Sequence, residues 1–504
     1  MSDDILQLSA RALAEAVRDG RVSAAEATDA YLDQLDASEP DVRAYRCVVP
    51  ERARAEAAAI DAARGRGETL GALAGVPIAL KDIFVTEGVP TSCGSAILAD
   101  WTPPYQGSHA RRCAEAGAVM LGKLAMDEFG MGSTNENTPF DPVRNPWALD
   151  HVPGGSSGGT AAAVAARSCA LGLGSDTGGS IRQPASHCNL VGLKPTYGRV
   201  SRHGMIAFAS SLDQAGPIAR EVGDAALALQ VLAGHDPRDA TSLAAPVPDY
   251  LAAVDQGARE GLAGLRVGVD RHTLTRDGLD PEVRARFEAA LAVLVDAGAS
   301  VHEIALPHFE HAVATYYVLC TAEASSNLAR YDGLRYGLRV ARPSLRETYE
   351  ATRHDGFGAE VKRRILLGTF VLRAESYADY YGRAMKVRTL IARDYAEAFT
   401  RCDVIASPTA PVPAWRLGEK LDDPLAMYLA DVFTIGANLA GLPAISIPAG
   451  FTDASPALPI GFQLVGPRLS ETTLLRAAAA HEAASDWHTR APLRLPPCPA
   501  GGAA

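Results

Sequence analysis

The chain contains no run of 18 apolar residues, and its opening stretch, MSDDILQLSARALAEAV, has no basic region ahead of an apolar segment. Neither a membrane-spanning helix nor a secretory leader is expected, which points to a soluble, cytoplasmic protein. The eight cysteines, at positions 47, 93, 113, 169, 188, 320, 402 and 498, show no C-x-x-C spacing. Scattered in this way they read as reduced thiols of a cytosolic enzyme. The twelve histidines include no H-x-x-x-H pair with an adjoining glutamate, so neither a metal nor a cofactor is expected in this chain. Positive charge is also sparse: the net charge is −11, and the most basic spot is Lys362-Arg363-Arg364. A chain that holds RNA by itself needs a basic face to neutralise phosphates. Taken alone, this cluster reads as a solvated helix face.

No internal repeat and no long Pro/Ser linker divides the 504 residues, 47% of which are hydrophobic, enough for a sizeable core. Residues 9–19 read as a first helix stopped by Gly20, and Ser23 with Glu26 forms a capping box for a second. From Gly75 onward, strands at 76–80, 118–121, 170–174, 265–270 and 301–306 alternate with helices at 108–116, 158–167, 223–233 and 281–297. Such alternation predicts an α/β fold with a mostly parallel sheet covered on both faces. Residues 308–401 read as mainly helical and rich in Tyr and Arg; strands return at 403–409, 444–449 and 461–465 before a closing helix at 470–485.

The chemistry is expected between positions 151 and 204, where paired serines and glycine clusters replace bulky polar side chains. GGSSGG at 154–159 opens a helix of small residues, and glycines there let backbone approach a ligand closely. By itself it also reads as a flexible linker. A phosphate loop is excluded, because no Gly-Lys-Ser/Thr follows and a GxGxxG with a downstream acid is missing. A nucleophile elbow would need a histidine and an acid that sequence alone does not place. The strand at 170–174 ends in SDTGGS at 175–180, a turn that could aim consecutive N–H groups at one point, as an oxyanion hole requires, with Ser180 among them. A serine hydroxyl needs a base within reach. GVPIALKDIF at 75–84 offers Lys81 at the end of an apolar strand, where desolvation lowers an amine pKa and Ser156 would be the natural relay. The bland alternative is a strand-end lysine that snorkels to solvent. Asp431 stands alone amid Leu, Val, Phe and Ile in an expected apolar helix, where it needs a partner: a backbone N–H or an arginine.

GGSSGGTAAAVAA at 154–166, GSDTGGSIRQPA at 174–185 and GLKPTYGRVSR at 192–202 resemble the amidase signature family. The resemblance implies an α/β fold with a single mixed β-sheet sandwiched between helical layers. It implies one domain over 1–485, made of N-terminal helices (1–70), a signature core (71–220), a helical cap (about 308–401) and closing strands and helix (403–485), with a tail at 486–504. It also implies a Ser-Ser-Lys triad with Lys81 as base, Ser156 as relay in a cis peptide and Ser180 as acyl nucleophile, the N–H groups of Thr177, Gly178 and Gly179 being candidates to hold the oxyanion. Within the family the likeness is to the glutamine-hydrolysing A subunits of tRNA-dependent amidotransferases. It is carried by MDEF (126–129), MGSTNEN (131–137), NPW (145–147), AFASSLDQ (207–214), EVKRRILLGT (360–369) and DPLAMY (423–428). Leu124-Ala125, His203 and Gly436 depart from that pattern without touching the triad. The likeness further implies a heterotrimer with B and C subunits, in which this chain frees ammonia from glutamine. ATP and Mg are used through a partner, and charged tRNA, Glu-tRNA(Gln) or Asp-tRNA(Asn), is reached through that partner. Arg364 is then expected on the α-carboxylate of glutamine and Asp431 on its α-ammonium. Two competing readings are a free-standing amidase for small amides and a scaffold without catalysis of its own.

Overall fold

A computed structural model describes residues 2–492. Its frame is an eleven-stranded sheet. In chain order the strands are β1 (Tyr45–Val48), β2 (Pro77–Lys81), β3 (Val119–Leu124), β4 (Leu171–Asp176), β5 (Val191–Lys194), β6 (Gln214–Ala219), β7 (Arg266–Val269), β8 (Ser300–Glu303), β9 (Val404–Pro408), β10 (Ala444–Phe451) and β11 (Pro459–Val465). Side by side they run β1-β3-β2-β4-β6-β5-β10-β11-β9-β7-β8. β2 is parallel to both β3 and β4, and β7 to both β8 and β9; the other six neighbouring pairs are antiparallel.

The sheet is therefore mixed, as the family resemblance implies, and the expectation of a mostly parallel sheet is corrected. β5 (VGLK) and β6 (QAGPIA) account for three of the six antiparallel pairs. Small residues and a proline hide them from a reading based on apolar runs. They enter the middle of the sheet, with β6 antiparallel to β4 and β5 antiparallel to β10.

The parallel pair at the centre positions the site. β2 and β4 are in register at Ile78↔Leu171 and Leu80↔Leu173, so their carboxyl ends emerge at one edge. Lys81 is the last residue of β2, and Ser175 and Asp176 end β4. The helix Gly158–Ala165 begins directly after Ser156-Ser157, which brings the GGSSGG stretch to the same edge. Between positions 308 and 401 the chain is mainly helical as expected, and the helices Ala312–Asn327 and Ala359–Val371 cross over that edge. Gly368 permits the crossing, because a Cβ there would overlap the Thr321 carbonyl.

The seven described cysteines are free thiols; Cys498 and most of the expected tail lie outside the described residues. Among those described, no helix is long and apolar enough to cross a membrane.

Close helix contact depends on glycine elsewhere too. On the helix Tyr250–Glu260, a Cβ at Gly257 would overlap the Arg476 carbonyl of the helix Glu471–Ala483. Gly257→Ala should destabilise by about 1–3 kcal/mol through overpacking. Gly223, also helical, has nothing within 4 Å of an added Cβ, and Gly223→Ala should be neutral or stabilise by up to about 1 kcal/mol. Urea midpoints measure both; equal midpoints for the two variants would contradict the contact.

Candidate active site

Lys81 is fully buried, and its Nζ bonds to Ser156 Oγ at 2.7 Å and to Ser157 Oγ and Ser175 Oγ at 2.9 Å each. The solvated strand-end alternative is thereby removed. No carboxylate reaches ion-pair distance of this amine among the described residues, and burial lowers its pKa to about 7, against longer-range support from Asp127, Asp176 and Asp213. Near neutrality a usable fraction is neutral amine, and a neutral amine can accept a proton from one of the three hydroxyls it touches.

Ser156 follows a cis peptide from Gly155, as the resemblance implies. The peptide is held from both sides: Gly155 N–H donates to Gln183 Oε1 at 2.9 Å, and Gln183 Nε2 donates to the Ser133 carbonyl at 3.1 Å. Exposure rises from 0% at Lys81 through 1% at Ser156 to 8% at Ser180. The amine is thus sealed and the outermost hydroxyl can be reached. The Ser157 N–H donates to the Ser180 carbonyl at 3.2 Å, which ties the two serine-bearing loops together. Ser180 Oγ makes no hydrogen bond among the described residues.

The turn that carries Ser180 has an unusual backbone. Thr177, Gly178, Gly179 and Ser180 are all buried residues, and none of their N–H groups has a partner among the described residues. Buried donors left open are costly, so a cluster of them marks a place built for an anion. Gly179 takes φ +142°, and a Cβ there would overlap Thr434 Oγ1. Thr177 is fixed by its hydroxyl, which donates to Asp213 Oδ1 at 2.7 Å.

The base of the turn is clamped. Arg182 and Asp176, both fully buried, form a bidentate pair at 3.0 Å through Nε and Nη2. The remaining arginine donors reach the Thr434 carbonyl at 3.0 Å, Gln463 Oε1 at 2.7 Å and Asn438 Oδ1 at 2.6 Å. Sequence reading assigned no role to Asp176, Arg182, Ser157, Ser175 or Asp213. The signal for the clamp was present, as an acid and an arginine flank the glycine turn; its partners some 250 residues away left none.

Asp431 is 6% exposed and does not lie in a helix, as had been expected, but in the turn between the helices Pro424–Leu429 and Ile435–Leu439. Its partner is also not the expected N–H or arginine. Ser133 Oγ donates to Oδ2 at 2.5 Å, while Oδ1 is buried without a partner. Burial raises its pKa to about 7, and a cation beside Oδ1 would bring it down again. A Cβ on Gly179 would stand 3.3 Å from Oδ1, which places this carboxylate beside the turn of Ser180.

Of the Lys362-Arg363-Arg364 cluster, Arg363 is exposed and Arg364 is buried, so the solvated-face reading fails for Arg364. Arg364 Nε donates to Glu360 Oε1 at 2.7 Å. The rings of Tyr317, Tyr428 and Phe208 surround its guanidinium at 5.2, 5.3 and 5.6 Å. Phe208 in turn lies 3.8 Å from a Cβ placed on Gly130, and Ser156 Oγ 3.6 Å from the same point, so one ring separates the guanidinium from the relay serine's surroundings. The unbonded end of the Arg364 guanidinium and the unpartnered Oδ1 of Asp431 thus lie near the two serine-bearing loops.

A family model described as amidase matches residues 26–475. The chain belongs to the amidase family. It is 55% identical over 489 residues to the A subunit of glutamyl-tRNA(Gln) amidotransferase from Moorella thermoacetica, covering 97% of this chain and 99% of that one. The crystal structure of the A subunit of glutamyl-tRNA(Gln) amidotransferase from Thermotoga maritima superposes with a TM-score of 0.74 at 40% identity, over 95% of this chain and 93% of that one. Another amidase, the peptide amidase from Stenotrophomonas maltophilia, superposes with a TM-score of 0.79 at 31% identity, over 96% of this chain and 97% of the other. The amidase fold, one mixed sheet of eleven strands flanked by helices, is shared across these relatives.

Asp176→Ala would leave the Arg182 guanidinium in the core without its carboxylate. The expected cost is about 3–5 kcal/mol of stability, together with loss of amidase activity. An unchanged urea midpoint in a variant that still hydrolyses amides would show that the clamp does not hold the turn.

Proposed function

We propose that this amidase is the glutamine-hydrolysing component of a tRNA-dependent amidotransferase, delivering ammonia to partner subunits that amidate Glu-tRNA(Gln) or Asp-tRNA(Asn). The observation that supports it most is the pairing of an unpartnered buried carboxylate oxygen on Asp431 with the free end of the Arg364 guanidinium, beside the Ser180 turn. A free amino acid carries one anion and one cation at fixed separation, and a site selective for it needs a countercharge for each. A general amidase for neutral amides has no use for such a pair. The likeness to the A subunit of glutamyl-tRNA(Gln) amidotransferase in Moorella thermoacetica agrees with this reading. The B and C subunits of a heterotrimer, ATP and Mg used through a partner, and a tRNA held by the partner belong to the proposal, and so does a cytoplasmic setting.

The chemistry proceeds by acyl transfer. Neutral Lys81 accepts the proton of Ser156, Ser156 takes that of Ser180, and Ser180 Oγ bonds to the side-chain carbonyl carbon of glutamine. The carbonyl oxygen becomes an oxyanion facing the open N–H groups of Thr177, Gly178 and Gly179. As the tetrahedral intermediate collapses, the C–N bond breaks and the proton returns from Lys81 through Ser156 to nitrogen, which leaves as ammonia. Water then attacks the glutamyl ester with the same relay as base, and glutamate and the Ser180 hydroxyl are regenerated.

Ser180→Ala should abolish hydrolysis and the acyl adduct that hydroxylamine would trap. Because protonation of Lys81 removes the base, kcat/KM of the parent for a small neutral amide, which makes no use of Asp431, should fall about tenfold per pH unit below about 7 and level off above it. A flat profile from pH 6 to 8 would rule Lys81 out as base. Glutaminase activity that rises when partner subunits and charged tRNA are added separates the amidotransferase component from a free-standing amidase.

Arg364→Ala and Asp431→Asn should each weaken glutamine binding by roughly 2–4 kcal/mol, because the opposing charge is left unpaired in a desolvated site. Hydrolysis of a small neutral amide should be little changed. Equal losses on both substrates would refute the assignment of these two charges to glutamine.

A further inference from the structure

Arg364 and Asp431 lie on different elements, and something must hold them at a fixed distance. Arg364 is on the helix Ala359–Val371, while Asp431 follows the short helix Pro424–Leu429. One carboxylate joins the two. Glu360 Oε1 accepts from Arg364 Nε at 2.7 Å and from the Tyr428 hydroxyl, three residues before Asp431, at 2.7 Å. Its second oxygen meets Arg363.

We infer that Glu360 and Tyr428 are positioning residues that set the spacing between the carboxylate-binding and ammonium-binding groups, and so the preference for a free α-amino-acid amide over a neutral one. The inference rests on the assignment of Arg364 and Asp431 to glutamine.

Three observations carry it. First, a guanidinium presents two edges to a carboxylate, and Glu360 occupies the one that includes Nε. The terminal Nη1–Nη2 edge makes no bond among the described residues and is left for a ligand carboxylate to engage bidentately. Second, the rotation of the guanidinium is fixed by aromatic faces: Tyr317 and Tyr428 stack on each other at 3.8 Å with 23° between planes, and both rings lie within 5.3 Å of the guanidinium carbon. Third, Arg363 and Arg364 against Glu360 leave one net positive charge, enough to attract an anion while satisfying the buried acid. Glu360 is 4% exposed, so its bonds are not exchanged for water.

Tyr428→Phe keeps the ring and deletes only the bond to Glu360. Glu360→Gln keeps an acceptor for Arg364 and deletes the charge, and Glu360→Ala deletes both. With the chain assayed as purified with the subunits that accompany it, KM for glutamine should rise roughly tenfold in Tyr428→Phe and Glu360→Gln, and further in Glu360→Ala. The kcat should stay within about twofold, since nothing at Ser180 changes. Hydrolysis of a small neutral amide should be unaffected, so the preference for glutamine over that amide should narrow. The double variant Tyr428→Phe/Glu360→Gln should cost less than the two singles combined, because both act through one bond. Should Glu360→Ala fail to fold, the two milder variants carry the test.

An unchanged KM in Tyr428→Phe and Glu360→Gln, or equal losses on glutamine and the neutral amide, would overturn the inference. Arg364→Ala serves as reference: if it is selective for glutamine while these variants are not, only the positioning role fails. If Arg364→Ala is not selective either, the glutamine assignment itself fails.

Discussion

The site depends on taking one ammonium out of water without giving it a counter-ion. Lowering the Lys81 pKa from 10.5 to about 7 costs roughly 5 kcal/mol of folding stability below about pH 7, where folded and unfolded chains both carry the proton, and progressively less as pH rises towards 10.5. Two other buried lysines show what makes this position different. Lys123, one strand over, also has its pKa lowered by burial, but Asp82 at 3.4 Å opposes that shift, and its amine bonds to the Phe84 carbonyl and Thr91 Oγ1. Lys194 is also brought to about 7 by burial, but its amine bonds only to the Pro195 carbonyl, so no chain of hydroxyls leads from it to a nucleophile. Among the described residues, Lys81 differs from these two in touching three serine hydroxyls with no carboxylate at ion-pair distance.

That arrangement is matched by a second one in the turn of Ser180. Four buried N–H groups left open, at about 1–3 kcal/mol each when unsatisfied, would favour collapse of the turn onto any nearby carbonyl. The Asp176–Arg182 pair prevents this by fixing both ends of the turn, and Asp213 fixes Thr177 from the side. A buried ion pair contributes little net stability when fully satisfied but punishes any rearrangement that breaks it. It is therefore suited to holding a strained, donor-rich loop in one shape.

What could be read in the sequence depends on how local each feature is. The alternation of strand and helix, the capping box at Ser23 and Glu26, and the end-of-strand place of Lys81 are local patterns, and the structure has them. Strand direction is not local: β5 and β6 are too short and too poor in branched residues to announce themselves, and with them went the antiparallel centre of the sheet. Motifs brought Lys81, Ser156 and Ser180 together, yet the turn setting of Asp431 and its bond to Ser133, 298 residues earlier, have no local trace. The same holds for Glu360, whose partner Tyr428 is 68 residues away. An apolar stretch with one acid reads as a helix until the geometry shows the acid at a bend.

The loop beside Ser156 and the helix of Arg364 are also joined by a buried contact. Glu128 accepts from the Gly358 N–H at 2.8 Å, one residue before the helix that carries Glu360 and Arg364. Two positions after Glu128, Gly130 adopts φ +80°, and its absent side chain leaves room between Phe208 and Ser156 Oγ. The Arg364 helix and the loop against Ser156 are thus linked through one buried carboxylate. Under the proposed assignment the charge pair anchors the amino-acid end of glutamine, while the groups around Ser180 act on its amide end. This is the condition under which binding energy at the amino-acid end of the substrate can be used for attack at the other end.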